Sequence, residues 1–328
     1  MQLTRRDFVK QGVMVSAAVG TRQSRDVRAS ASQPSTRVNF KVPPGACDCH
    51  THIFGDPARF PFAPGRTYTP EPASVDEMRK LHRALHISRV VIVHPSVYGT
   101  DNACTLEAIR QLAPNARGVA VIDDRTTDAA LGEMDRNGIR GIRINLATVG
   151  QTDPEVGRRR FEAVVERVGT RKWHIQMYTQ LSVIEAMQKD IAASPVPVVF
   201  DHFGGAQAAL GPGQRGFDVL LDLVRTGRAY VKLSAPYRSS NAAPDYADMV
   251  PLAQSLIRAN IRRVLWGTDW PHPDTSQADG RKPTDISPLR QIDDGRVFNQ
   301  FPLWAPDAAD RKTILVDNPA MLYGFAPS

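Results

Sequence analysis

From residue 46 onward, short apolar runs alternate with longer stretches of helical periodicity. The runs Ala46–Ile53, Arg89–Ser96, Arg117–Ile122, Ile139–Leu146, Trp173–Thr179, Val196–His202, Ala229–Ser234 and Arg263–Thr268 read as strands. Amphipathic stretches near 74–86, 102–113, 126–137, 155–170, 181–193, 215–226, 244–260 and 308–323 read as the helices that follow them. Strands alternating with helices imply a parallel sheet, and eight such units imply a closed (β/α)8 TIM barrel of the α/β class. An open doubly wound sheet would usually carry a glycine-rich phosphate turn after its first strand. Here that strand runs into Cys49-His50-Thr51-His52 instead.

Polarity also alternates within the strands. Ile142, Ile144 and Leu146 share one face, and Arg143 and Asn145 the other; His174, Gln176 and Tyr178 form a second polar set, Lys232 and Ser234 a third. The apolar faces should meet the helices. The polar faces should then line the barrel interior, where a charge without a partner is costly. Cys47 and Cys49, two apart, share a face as small buried groups. With Cys104 they make an odd number without framework spacing, which excludes a disulfide-stapled fold.

One barrel and a tail account for the 328 residues. The net charge of +7 belongs largely to that tail: residues 1–32 hold six basic groups against two acidic ones, a surplus of four, leaving about +3 for the rest. That remainder does not point to nucleic acid. Residues 1–31 place Arg5-Arg6, Phe8 and Lys10 ahead of a weakly apolar run and a small-residue exit. This pattern resembles a twin-arginine export signal, with 32–45 as a linker and 46–328 as the barrel domain. The apolar run is about half the roughly 20 residues a membrane span needs. The expected location is the periplasm, or the cytoplasm if the signal does not function, as a monomer or small homo-oligomer.

Four groups fall at strand ends: His50 and His52 after the first, His202 after the sixth and Asp269 after the eighth. Together with Asp201-His202-Phe203-Gly204 and Trp266-Gly267-Thr268-Asp269-Trp270-Pro271-His272, the His-Thr-His pair resembles the amidohydrolase superfamily. The resemblance covers residues 40–325 and is nearest to the 2-pyrone-4,6-dicarboxylate lactonase group. It implies a hydrolase that opens a carboxylated lactone. His50, His52 and His202 would polarise the carbonyl, and Asp269 would take the proton of the attacking water. Tyr68, Ser96 and Tyr178 would be hydrogen-bonding contacts, and Arg143 and Arg238 would hold substrate carboxylates.

Metal-binding members add ligands on strands four and five, where this chain has Arg143, Asn145 and Tyr178. No tightly bound cofactor is therefore expected. Should zinc or manganese bind, His50, His52, His202 and Asp269 are the ligands. A second basic clamp after strand four is replaced by Ala147-Thr148-Val149-Gly150-Gln151, which puts the dicarboxylate pyrone itself in question. Alternative readings are a sugar-acid lactonase or lactone isomerase of the same barrel group, a metal-dependent decarboxylase, and an exported organic-acid binding protein. Asp269 argues against the last, because an anion-binding protein gains nothing from a carboxylate beside its ligand.

Overall fold

The computed structural model describes residues 31–276 and 280–326. Eight parallel strands follow one another round a barrel: β1 (Cys47–Thr51), β2 (Arg89–Val93), β3 (Ala116–Ala120), β4 (Ile139–Asn145), β5 (His174–Tyr178), β6 (Val198–Phe200), β7 (Ala229–Ser234) and β8 (Val264–Gly267). Beyond its last residue β8 meets β1. Asp269 N donates to His50 O and His52 N to Trp270 O, both at 2.8 Å, which closes the ring. The expected (β/α)8 architecture is therefore the observed one.

The helices over the early strands are α1 (Val75–Leu85), α2 (Ala103–Leu112), α3 (Asp128–Arg136) and α4 (Pro154–Val168). Ser74 and Glu77 form a capping box that fixes the start of α1, each satisfying backbone donors of the first turn. The stretch expected as one helix over 181–193 is two, Leu181–Ala186 and Gln188–Ala193. The stretch expected over 308–323 is interrupted by a π-helical turn at Thr313–Asp317. Pro319, at the start of the segment that follows, has no N–H to continue the α-helical ladder. No described helix is long and apolar enough to cross a membrane.

The strand faces divide the core in two. Outward residues such as Val90, Ile92, Ile142, Ile144, Met177 and Phe200 pack beneath the helices. Inside the barrel, Cys47, Cys49, Val91, Val119, Val199 and Leu265 form a separate apolar floor with Tyr323 and Phe325. Above it the interior turns polar, with His174, Gln176, Lys232 and Arg143 all buried. Gly141 leaves room for this layer, since a Cβ there would stand 2.3 Å from the His174 ring.

Residues 32–45 contain no helix or strand, yet they are pinned to the barrel. The Trp270 indole donates to Ser32 O at 3.0 Å, and the hydroxyls of Ser35 and Thr36 each donate to Asp293 at 2.6 Å. The segment read as an export signal lies outside the described residues, apart from Ala31, which is buried.

Candidate active site

A bulge in β1 builds the centre of the site. Asp48 pairs with Val90 and Thr51 with Ile92, so β1 spends three residues where β2 spends two. In a regular strand, Cys47 and Cys49 would face away from His50 and His52. The extra residue turns the chain so that the cysteines fill the floor while both histidines enter the polar layer above it. Asp48 holds this geometry, accepting from the backbone N–H groups of His50 and Thr268 at 3.1 and 3.0 Å.

His202 was expected at the end of the sixth strand. That strand stops at Phe200, and His202 opens a 3-10 turn in which it and Phe203 adopt left-handed backbone (φ 49° and 55°). Asp269 is left-handed as well, at φ 68°. Such backbone costs of order 1–3 kcal/mol at a residue other than glycine, and persists where surrounding contacts over-determine it. The hydrogen bond from Asp269 N to His50 O is one such contact.

These turns bring three imidazoles around one carboxylate oxygen. Asp269 Oδ1 lies 3.2 Å from His52 Nε2, 3.4 Å from His50 Nε2 and 3.8 Å from His202 Nε2. Asp269 Oδ2 accepts from Tyr237 Oη at 2.6 Å and Arg238 Nε at 2.8 Å. The far side of each ring is also held. His52 Nδ1 donates to Val93 O at 2.7 Å, His50 Nδ1 is 3.1 Å from Asp201 Oδ1, and His202 Nδ1 is 2.9 Å from Ser234 Oγ.

Charge sharpens this geometry. Burial would raise the Asp269 carboxyl, but above all the Arg238 guanidinium outweighs it and holds it well below the usual carboxylate range. Burial also lowers His50 strongly, against the pull of Asp201, and lowers His202 to about 4. Asp269 is therefore ionised at neutral pH, with His50 and His202 neutral. A backbone carbonyl can only accept, so His52 carries a proton on Nδ1 and points Nε2 toward Asp269. His50 Nδ1 lies between Asp201 Oδ1 at 3.1 Å and Lys232 Nζ at 3.4 Å. His50 Nε2 and Asp269 Oδ1 are buried and have no hydrogen-bonding partner among the described residues.

Imidazole nitrogens gathered on an ionised carboxylate oxygen can serve as a set of metal ligands. His50 Nε2, His202 Nε2 and Asp269 Oδ1 lie within 4.8 Å of one another. Zinc bonds of about 2.0–2.1 Å in a tetrahedral site place neighbouring ligand atoms about 3.3 Å apart. The donor set, its spacing and the Asp201 carboxylate behind His50 fit a divalent cation with an open position. These donors are three of the four ligands expected should a metal bind, and they come from β1 and the turns after β6 and β8.

Below the histidines is a buried charged layer that the strand-end reading passed over. Asp201 Oδ1 lies 3.4 Å from Lys232 Nζ; its Oδ2 accepts from Gln176 Nε2 at 3.1 Å and from Arg143 Nη2 at 3.4 Å. Lys232 donates to Gln176 Oε1 at 2.6 Å. His50, Lys232 and Arg143 together hold Asp201 well below the ordinary range, despite the opposing effect of burial. The signal was present in the sequence: Gln176 and Lys232 occupy inward positions, and Asp201 precedes a site histidine.

Above the histidines a narrow cleft gathers the remaining expected residues: Tyr68, Ser96, Arg143, Tyr178 and Arg238 line it beside His52, His202 and Asp269. Tyr178 meets the His202 ring edge-to-face at 4.9 Å. Burial pushes the Tyr68 hydroxyl up to about 12, so it stays protonated and able to donate. The two arginines have different partners: Arg143 faces Asp201, while Arg238 grips Asp269 and the carbonyl of Pro273. Asp269 is thus the ion partner of Arg238 and not of Arg143.

The sequence matches the amidohydrolase family over residues 47–325. It is 34% identical to a 4-sulfomuconolactone hydrolase of Rhizobium radiobacter over 88% of this chain and 93% of that protein. It is 33% identical to a 2-pyrone-4,6-dicarboxylate hydrolase of Comamonas testosteroni over 91% of this chain and 95% of that one. The solved apo structure of an Agrobacterium tumefaciens protein superposes with a TM-score of 0.75 at 25% identity, covering 89% of this chain and all of that one. Family match, barrel and histidine–aspartate centre agree, and the chain belongs to the amidohydrolase family of enzymes.

Proposed function

We propose that the protein hydrolyses an anionic lactone, and that the cluster of His50, His202 and Asp269 holds a divalent cation, with His52 beside it. The observation that supports this reading is the convergence of three imidazole Nε2 atoms on Asp269 Oδ1, in a cleft walled by Arg143 and Arg238. The two relatives named above act on anionic lactones by their names, a sulfonated one and a dicarboxylated one.

The cation, when bound, supplies polarisation of the lactone carbonyl and a lower pKa for the attacking water. Arg143 and Arg238 bind the anionic groups and fix the ring over the histidines. Asp269 takes a proton from the water as the water oxygen bonds to the acyl carbon. The ring C–O bond then breaks, and the proton passes from Asp269 to the departing oxygen, giving a hydroxy acid. Tyr68, Ser96 and Tyr178 line the cleft, and their hydroxyls would donate to the negative charge that develops. An anion beside Arg238 offsets part of the field that holds Asp269 low, so the carboxylate becomes a stronger base once substrate is bound.

The test is a spectrophotometric screen of 2-pyrone-4,6-dicarboxylate, 4-sulfomuconolactone and simple carboxylated lactones. It is run on chelator-treated protein and on protein reloaded with zinc or manganese. Turnover of at least one anionic lactone by the reloaded protein is expected. No turnover of any of them would reject the reading.

A further inference from the structure

The cleft above Asp269 is not the largest space at this end of the barrel. A second cavity, about 560 Å³, opens between the loops after β2 and β3 and helix α4. The two share Ser96, Arg143 and Asn145, so they meet at the end of β4. Their walls differ in kind. The cleft is lined by hydroxyl, imidazole, guanidinium and carboxylate groups, whereas Val121, Ile122, Ile144, Ala163 and Val164 give the second cavity aliphatic walls. Exposed Asp124, Arg160 and Glu166 mark its outer edge.

Three observations argue for a ligand here. Ligand-sized pockets run to roughly 300–1,000 Å³; the second cavity, at about 560 Å³, lies in that range, whereas the polar cleft, at about 10 Å³, does not. The wall is pre-formed although its loop is irregular, because buried Asn102 clamps Val121 from both sides, with Oδ1 3.1 Å from Val121 N and Nδ2 2.8 Å from Val121 O. At the junction Arg143 belongs to both spaces, and its buried Nε has no hydrogen-bonding partner among the described residues.

We propose that this cavity is a subsite for an apolar alkyl or aryl arm of the substrate, with the anionic group of the same molecule held at Arg143. The inference rests on the lactonase reading and extends it: the substrate is a substituted acid lactone, with its ring over Asp269 and its arm between β3 and α4. An arm buried there gains about 0.8 kcal/mol, or about fourfold in affinity, per methylene.

The subsite can be tested without turnover. Propionate, butyrate, hexanoate and octanoate are titrated calorimetrically into the metal-loaded wild type and into Ala163→Trp and Ile122→Asp. Ala163 is exposed on α4 and Ile122 half-buried on the loop, so neither change touches the catalytic groups. Affinity should climb about fourfold per methylene in the wild type, and the climb should flatten in both variants while propionate binding stays within about twofold. Failure of the alkanoates to bind, affinity independent of chain length, or a climb untouched by both variants would each overturn the subsite. In parallel, kcat/KM for alkyl-substituted acid lactones should exceed that for the unsubstituted ring in wild type only. If the binding series behaves as stated and no lactone is hydrolysed, the lactonase reading falls and the subsite stands. If unsubstituted lactones turn over without any dependence on arm length, the reverse holds.

Discussion

Arg143→Met separates a substrate clamp from a structural cation. Arg143 is 6% exposed, with Nη2 3.4 Å from Asp201 Oδ2 and the guanidinium 5.7 Å from the Tyr178 ring centre. Methionine keeps the apolar stem and removes the charge. Asp201 retains Lys232, His50 and Gln176, so the variant does not orphan it. The loss of stability should stay well under the roughly 3–5 kcal/mol of a broken buried pair. A substrate anion about 4 Å from the guanidinium is worth about 4 kcal/mol at an effective dielectric near 20. Measured buried pairs give about 2–5 kcal/mol. We therefore expect kcat/KM for an acid lactone to fall by about 10²–10³, with kcat/KM for its methyl ester changing by less than about threefold. Stopped-flow or steady-state assays of both substrates, with urea melts as a control for folding, measure this. Equal loss for acid and ester would show that Arg143 serves Asp201 and the fold, and would remove the anionic-substrate argument.

Asp269→Asn should lower kcat by about 10²–10⁴ while product acid still binds, as read by calorimetry; wild-type turnover would exclude Asp269 as the base. Purified wild type should carry one divalent cation per chain by elemental analysis, lost in His50→Ala, and chelation should lower its melting temperature; full activity in metal-free protein would reject the cation site. Buried His94, His174 and His202 are lowered to about 4, 3 and 4, with burial the largest cause in each. The unfolded chain protonates them near pH 6.5. The stability they contribute is therefore present above about pH 6.5 and is lost as the pH falls toward 4, with protons taken up on unfolding. Urea midpoints across that range should decline, and less steeply in His94→Asn; a flat profile would contradict the burial argument. For the N-terminal segment, Arg5→Lys with Arg6→Lys should retain the chain in the cytoplasm, and exported wild type should begin near residue 32 by intact mass; an unprocessed cytoplasmic wild type would leave the tail without an export role.

The alternation of apolar and polar positions was enough to specify eight strands, their inward faces and a barrel, because both periodicities are local and the handedness and closure of βα units leave little choice. The strand ends also pointed to His50, His52, His202 and Asp269, since chemistry in this architecture sits at those ends whatever the loops do. Other features depended on contacts between distant segments. The bulge at β1 exists only against the register of β2, and without it Cys49 and His50 could not both face inward. The left-handed turns at His202 and Asp269 are held by the tertiary structure, and local propensity disfavours them. Gln176 and Lys232 were visible as inward residues, but only the folded barrel brings them to Asp201 and makes that carboxylate the support of His50. Arg143 and Arg238 look alike in the sequence. Their division of labour, one on Asp201 and one on Asp269, follows from where β4 and the turn after β7 place them across the barrel mouth, and a charge's partner is a matter of distance in space.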